Sequence, residues 1–153
     1  SLLENNVDDL RAGLVLHAQN MLDDAALQPT LDVDCRASLW EMGCIDEIHR
    51  MRELAPFGHG NPEPKVLVEG VKAVQHRWIG AENSHLKLVV IPGDAKPGAA
   101  AVDAIWFRAD QHRAKIDEAL RHGTLDLVVE PGLNTFNGRT HAQMKVADAR
   151  VGV

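Results

Sequence analysis

The eleven residues Leu54 to Pro64, reading Leu-Ala-Pro-Phe-Gly-His-Gly-Asn-Pro-Glu-Pro, divide this chain into two parts of different periodicity. Pro56 lacks an N–H and disfavours the α region for Ala55, so a helix entering the stretch must stop there. Gly58 and Gly60 permit positive φ, and Pro62 and Pro64 stiffen the exit. Before the stretch the pattern is largely helical. After it, apolar and polar residues alternate as they do in strands.

Residues 12–18 (Ala-Gly-Leu-Val-Leu-His-Ala) read as a short strand and Gln19 to Leu27 as a short helix ended by Pro29. Leu31, Val33 and Cys35 alternate as a second strand over residues 30–35. Ser38-Leu39-Trp40-Glu41 has the form of a capping box, in which the Ser side chain meets an orphan N–H and Glu reaches back. The helix that follows places Leu39, Met42, Ile45, Ile48, Met51 and Leu54 along one face. Gly43 weakens its first turns, so the helix proper begins near Ile45. So short a strand–helix–strand–helix unit reads as the end of a larger α/β domain.

Beyond Pro64, Lys65 to Arg77 reads as a long strand bent at Gly70. Trp78 to Ser84 is a polar turn, His85 to Ile91 a second strand, Pro92 to Ala99 a loop, and Ala101 to Phe107 a third strand. Asp110 to Arg121 reads as a helix stopped by Gly123. Thr124 to Glu130 and Thr140 to Ala147 complete five strands, joined by the hairpin signal Asn137-Gly138. The pattern describes a small closed β-barrel. Gly58-His59-Gly60 is too short for a phosphate-binding loop and is better read as a rigid joint. The pairs Asp8-Asp9 and Asp23-Asp24 read as helix starts and solvated faces rather than metal ligands.

Charge is unevenly divided. Residues 1–55 hold four Lys or Arg against eleven Asp or Glu, whereas residues 56–153 hold twelve against eleven. The near-neutral second part permits a local basic groove without demanding one. Cys35 and Cys44 lack metal or redox spacing and read as reduced thiols, and the histidines form no ligand set. No apolar run approaches the roughly 20 residues that span a membrane, and no signal peptide is visible. A cytoplasmic location is expected.

Leu54 to Pro64 closely resembles the entry to the oligonucleotide-binding (OB) domain of the RecJ family of single-strand-specific 5′→3′ DNA exonucleases. His85-Leu86-Lys87-Leu88, Asp103-Ala104-Ile105-Trp106-Phe107 and Leu133-Asn134-Thr135-Phe136-Asn137-Gly138-Arg139 resemble that family in the same order and spacing. The resemblance implies an α+β, mainly β chain: a five-stranded OB-fold barrel over residues 65–153, with a helix between its third and fourth strands. A Pro/Gly joint over 56–64 then precedes the barrel, and residues 1–55 are the α/β tail of a second catalytic domain of DHHA1 type.

OB-folds hold single strands with cations along a groove and rings on which bases stack. Leu86, Leu88 and Val90 are expected inward, which turns His85 and Lys87 outward. Lys87 is then the leading phosphate contact, with Arg77 and Trp78 beside it. Trp106 and Phe107 must point to opposite faces. Placing Phe107 or Ile105 in the core leaves Trp106 as the candidate stacking platform. Phe136 and Arg139 flank the hairpin tip, where Phe136 either stacks on a base or tucks beneath the turn. His141, Gln143 and Lys145 alternate with Ala142, Met144 and Val146, so Lys145 either lines the same groove or is simply solvated.

Relatives of this kind hydrolyse single-stranded DNA with Mn²⁺ or Mg²⁺ held by an Asp-His-His domain, a tripeptide this chain lacks. The resemblance therefore implies no catalytic or metal-binding residue here, but a strand-gripping part of a DNA repair and recombination nuclease. Residues 10–16 resemble the segment after the family's Gly-Gly-His, where this chain reads Asn6-Val7-Asp8. That departure keeps a second expectation open: a divergent or inactive relative whose barrel binds protein, for example the tail of a single-strand-binding protein.

Overall fold

A computed structural model describes residues 4–22, 29–96 and 98–152. It comprises two compact units, Ser1–Asp32 and Val33–Val153.

In the first unit a single 3-10 turn (Glu4–Asn6) leads into helix α1 (Val7–Met21). The strand expected over residues 12–18 is therefore helical. Leu14-Val15-Leu16 satisfies either periodicity, and so short an apolar run cannot decide between them. Asp8 and Asp9 in the first turn favour the helix through its dipole, and Arg11 donates to Asp8 at 2.9 Å one turn away. Most of the helix expected over Gln19–Leu27 lies outside the described residues.

In the second unit the strand expected over residues 30–35 shrinks to β1 (Cys35–Arg36). It pairs in parallel with β2 (Val66–Ile79) through Cys35↔Val66 and Arg36↔Leu67. Pro64 has no N–H to offer a longer ladder. Ser38 and Glu41 form the expected capping box at the start of α2 (Leu39–Gly43). The Ser38 hydroxyl, and after it the Ser38 N–H, hold the Glu41 carboxyl below its ordinary range. The helix breaks at Cys44 and resumes as α3 (Ile45–Arg52). Gly43 is needed there for closeness as well as freedom, since a Cβ would lie 2.9 Å from the Val102 Cγ2. Leu39, Met42 and Ile48 are buried, whereas the break turns Ile45 and Leu54 out to solvent. Both helices, and the Pro/Gly stretch after them, thus belong to the second compact unit.

The other strands are β3 (His85–Pro92), β4 (Val102–Trp106), β5 (Leu125–Phe136) and β6 (Arg139–Val151). Helix α4 (Arg113–His122) follows a 3-10 turn and lies between β4 and β5. The sheet order is β1-β2-β3-β4-β6-β5, and β2 also pairs with β5, so β2 to β6 curl into a closed ring. Its interior holds alternate residues of every strand, among them Val66, Val68, Leu86, Leu88, Val90, Ala104, Trp106, Leu127, Val129 and Met144.

β5 runs six residues beyond the stop expected at Glu130. Pro131 and Gly132 read as breakers, but β2 pairs with β5 no further than Val129. Beyond that point β5 has β6 on one side only, and a proline without an N–H is tolerated on such an edge. Asn137 and Gly138 both adopt positive φ, +49° and +73°, as the hairpin signal requires. The bend expected at Gly70 is a bulge between Val68 and Val71, with φ +64°. The Gly70 N–H donates to the buried Asp126 carboxylate at 2.9 Å, and its carbonyl accepts from the Gly93 N–H at 2.7 Å.

Candidate nucleic-acid interface

Strand register aligns three of the expected cations in one row across the outside of the ring. Arg77 of β2 lies opposite Lys87 of β3, Lys87 opposite Ile105 of β4, Ile105 opposite Lys145 of β6, and Lys145 opposite Glu130 of β5. At about 4.8 Å per strand, Arg77 to Lys145 is roughly 14 Å of surface measured along the sheet. The row exists because each strand keeps its apolar alternates inside: Leu86 and Leu88, Ala104 and Trp106, Met144 and Val146 are all buried.

The cations are not equally available. Lys87 Nζ lies 2.9 Å from the Asp103 carboxylate, which also lies 3.8 Å from His141 Nε2. Lys145 Nζ lies 2.6 Å from Glu130. That hydrogen bond holds the Lys145 ammonium above its ordinary pKa, against a smaller opposing effect of burial. A group shifted upward is fully charged below its ordinary pKa, so Lys145 stays cationic throughout the neutral range. Arg77 and Lys87 are like charges directly opposite each other, an arrangement that an anion bound between them would relieve. With Val74, Gln75, His76 and Val89 they line an open cleft of about 590 Å³.

The aromatic residues depart from expectation. Trp106 is 3% exposed and Phe107 is 47% exposed, which reverses the facing expected from sequence. Val102, Ala104 and Trp106 take the inner positions of β4, so the platform assigned to Trp106 is corrected to a core position. Ile105 likewise faces outward rather than into the core. The Trp106 indole stacks on the His112 ring, centroids 5.5 Å apart. Trp78 is half-buried against the core, with the Arg113 guanidinium 3.9 Å over its ring. One face of that indole is therefore covered.

Phe136 is 69% exposed and is not tucked beneath its turn. It pairs with Arg139 at the hairpin tip, six residues along β6 from Lys145, or about 20 Å. The tip is thus a separate place from the row. His85 belongs to the same face as Lys87, its ring 5.2 Å from that of Phe107. Sequence reasoning passed over Asp103 and Phe107. The signal was present: Asp103 belongs on the wet face, and a period of two from it carries Phe107 outward and Trp106 inward.

The family described as "RecJ OB domain" matches residues 32–148. This chain belongs to the RecJ family. The single-stranded-DNA-specific exonuclease RecJ of Bacillus subtilis (strain 168) is 29% identical to it over 152 residues, 99% of this chain and 18% of that protein. RecJ of Thermus thermophilus superposes with a TM-score of 0.65 in its Mg²⁺ complex and 0.63 in its Mn²⁺ complex. Identities there are 19% and 20%, over 98% of this chain and 21% and 20% of those chains, which establishes a shared fold. The chain thus spans about a fifth of the length of the RecJ proteins it matches. Among the described residues no group of three or more His, Cys, Asp or Glu side chains is placed to hold a metal ion. No helix among them is long and apolar enough to cross a membrane.

Proposed function

We propose that the ring of β2 to β6 is a five-stranded OB barrel that grips single-stranded DNA for a RecJ-like exonuclease, while hydrolysis belongs to the rest of the longer protein. The observation that carries this reading is the register-locked row Arg77–Lys87–Ile105–Lys145. Its middle strands β3 and β4 are the second and third of the barrel, the face on which OB-folds bind oligonucleotides. The row supplies cations for phosphates along a groove, and a single strand can lie across it with its bases free. The tail of the second catalytic domain, expected over residues 1–55, narrows in this reading to residues 1–32, because α2, α3 and the Pro/Gly stretch lie in the second compact unit. Mn²⁺ or Mg²⁺ then serves hydrolysis in the rest of the longer protein. A role in DNA repair and recombination follows for the longer protein. Because Lys87 and Lys145 are each paired with a carboxylate, the grip of this module alone is modest: a phosphate must displace Asp103 or Glu130.

The test is fluorescence anisotropy of the 153-residue chain with labelled single strands of increasing length, against duplex DNA and RNA. Affinity should rise with strand length, fall with salt and favour the single strand over duplex. Asp103→Asn frees Lys87 and should tighten binding roughly two- to five-fold, the scale of a half-exposed ion pair. Equal affinity for duplex and single strand, at every length, would remove the reading.

A further inference from the structure

Among the described residues of β3, β4 and the position after β4, Phe107 is the one large apolar side chain that is exposed, whereas the outward Val89, Ile91 and Ile105 are half-buried. The Phe107 ring meets the His85 ring edge to face, at an interplanar angle of 71°. His85 is in turn oriented by the backbone. The Arg108 N–H donates to His85 Nδ1 at 3.1 Å, which leaves the ring proton on Nε2. Arg108 adopts a left-handed conformation (φ +54°) and carries an exposed guanidinium next along the chain. An aromatic ring and a backbone-held imidazole thus meet at the Trp106 end of β4, one outward position along β3 from Lys87.

We propose that Phe107, buttressed by His85, is a nucleobase-stacking subsite beside the middle of the cation row, next to Lys87 and Ile105, taking an unpaired base of the strand whose phosphates Arg77 and Lys87 hold. The proposal rests on the strand-gripping reading and adds to it the group that tells bases from bare polyanion. An exposed ring on a strand gains nothing from water, whereas a base offers it a π-face of similar area whatever its sequence. The edge-to-face contact with His85 occupies one side of the ring, so part of the ordering that a bound base requires is already in place. The subsite discriminates against duplex, whose bases are already stacked on each other.

The experiment compares wild type, Phe107→Leu and Phe107→Trp on a single strand, and on the same strand with its bases removed at abasic positions. Phe107→Leu keeps the apolar bulk without the ring and should lose roughly 5- to 100-fold in affinity for the normal strand. Its salt slope should stay unchanged, because no charge has been touched. Phe107→Trp should retain binding. The abasic strand should bind wild type and Phe107→Leu equally. Thermal melting confirms that the variants fold, which the exposure of Phe107 leads us to expect. If wild type prefers the normal strand and a folded Phe107→Leu binds it equally well, the stacking subsite is wrong while the strand-gripping reading stands. If wild type binds no single strand at all, that reading fails and the subsite with it.

Discussion

Trp106→Ala should destabilise the second compact unit by about 3–5 kcal/mol, the cost of truncating a large buried aromatic side chain. The indole is buried opposite Leu86 and stacks on His112, and the core around it includes Ala109 and Ile116. Small domains are stable by only about 5–15 kcal/mol, so the variant loses a large share of its stability. Phe107→Ala, one residue on, should cost under about 1 kcal/mol because its ring is half in water already. Urea denaturation of the two variants separates these outcomes. A reversed order would mean that β4 presents its other face to the core.

The second large effect is expected at Asp126. This residue is 3% exposed, and its carboxylate accepts from the Gly70 N–H and from Arg150 Nε, each at 2.9 Å. The first bond closes the bulge that lets β2 bend, and the second ties β5 to the neighbouring strand. Asp126→Ala leaves the Gly70 N–H without a partner and Arg150 with only the longer contact to the Glu69 carboxylate, at 3.8 Å. Breaking a fully buried pair costs about 3–5 kcal/mol, but the Arg150 side chain is 60% exposed and can rehydrate. The expected loss is therefore about 2–4 kcal/mol, again read from the urea midpoint at unchanged slope. Arg150→Ala should cost clearly less, since Asp126 keeps its backbone donor. Equal losses would place the energy in the ion pair rather than in the bulge.

Much of this architecture is legible in the sequence because strand alternation is a strong signal when one face is buried. Leu86, Leu88 and Val90 fix the facing of β3, and with it the outward positions of His85 and Lys87. Asn137-Gly138 marks its hairpin because few other dipeptides accept two successive positive φ values. Errors arise where a local pattern admits two answers. Leu14-Val15-Leu16 fits strand or helix, and the acidic pair Asp8-Asp9 near the start of the chain decides for helix. Pro131 reads as a breaker until the sheet shows that β5 has an unpaired side there. Trp106 and Phe107 are both large and apolar, so composition alone cannot say which is inside. Only the period set by Asp103 does. The cations of the row are legible as outward positions, but their alignment is not, since it depends on registers between four strands that sequence spacing does not give.

The salt dependence of single-strand binding, compared between wild type and the triple variant Arg77→Ala, Lys87→Ala, Lys145→Ala, shows most directly whether the cation row holds a strand. Each phosphate neutralised on a single strand contributes about 0.7 to the slope of log K against log salt. If the three side chains hold three phosphates, the folded triple variant binds more weakly and its slope flattens by about 2. An unchanged slope and affinity in a folded triple variant would show that the row does not meet the strand.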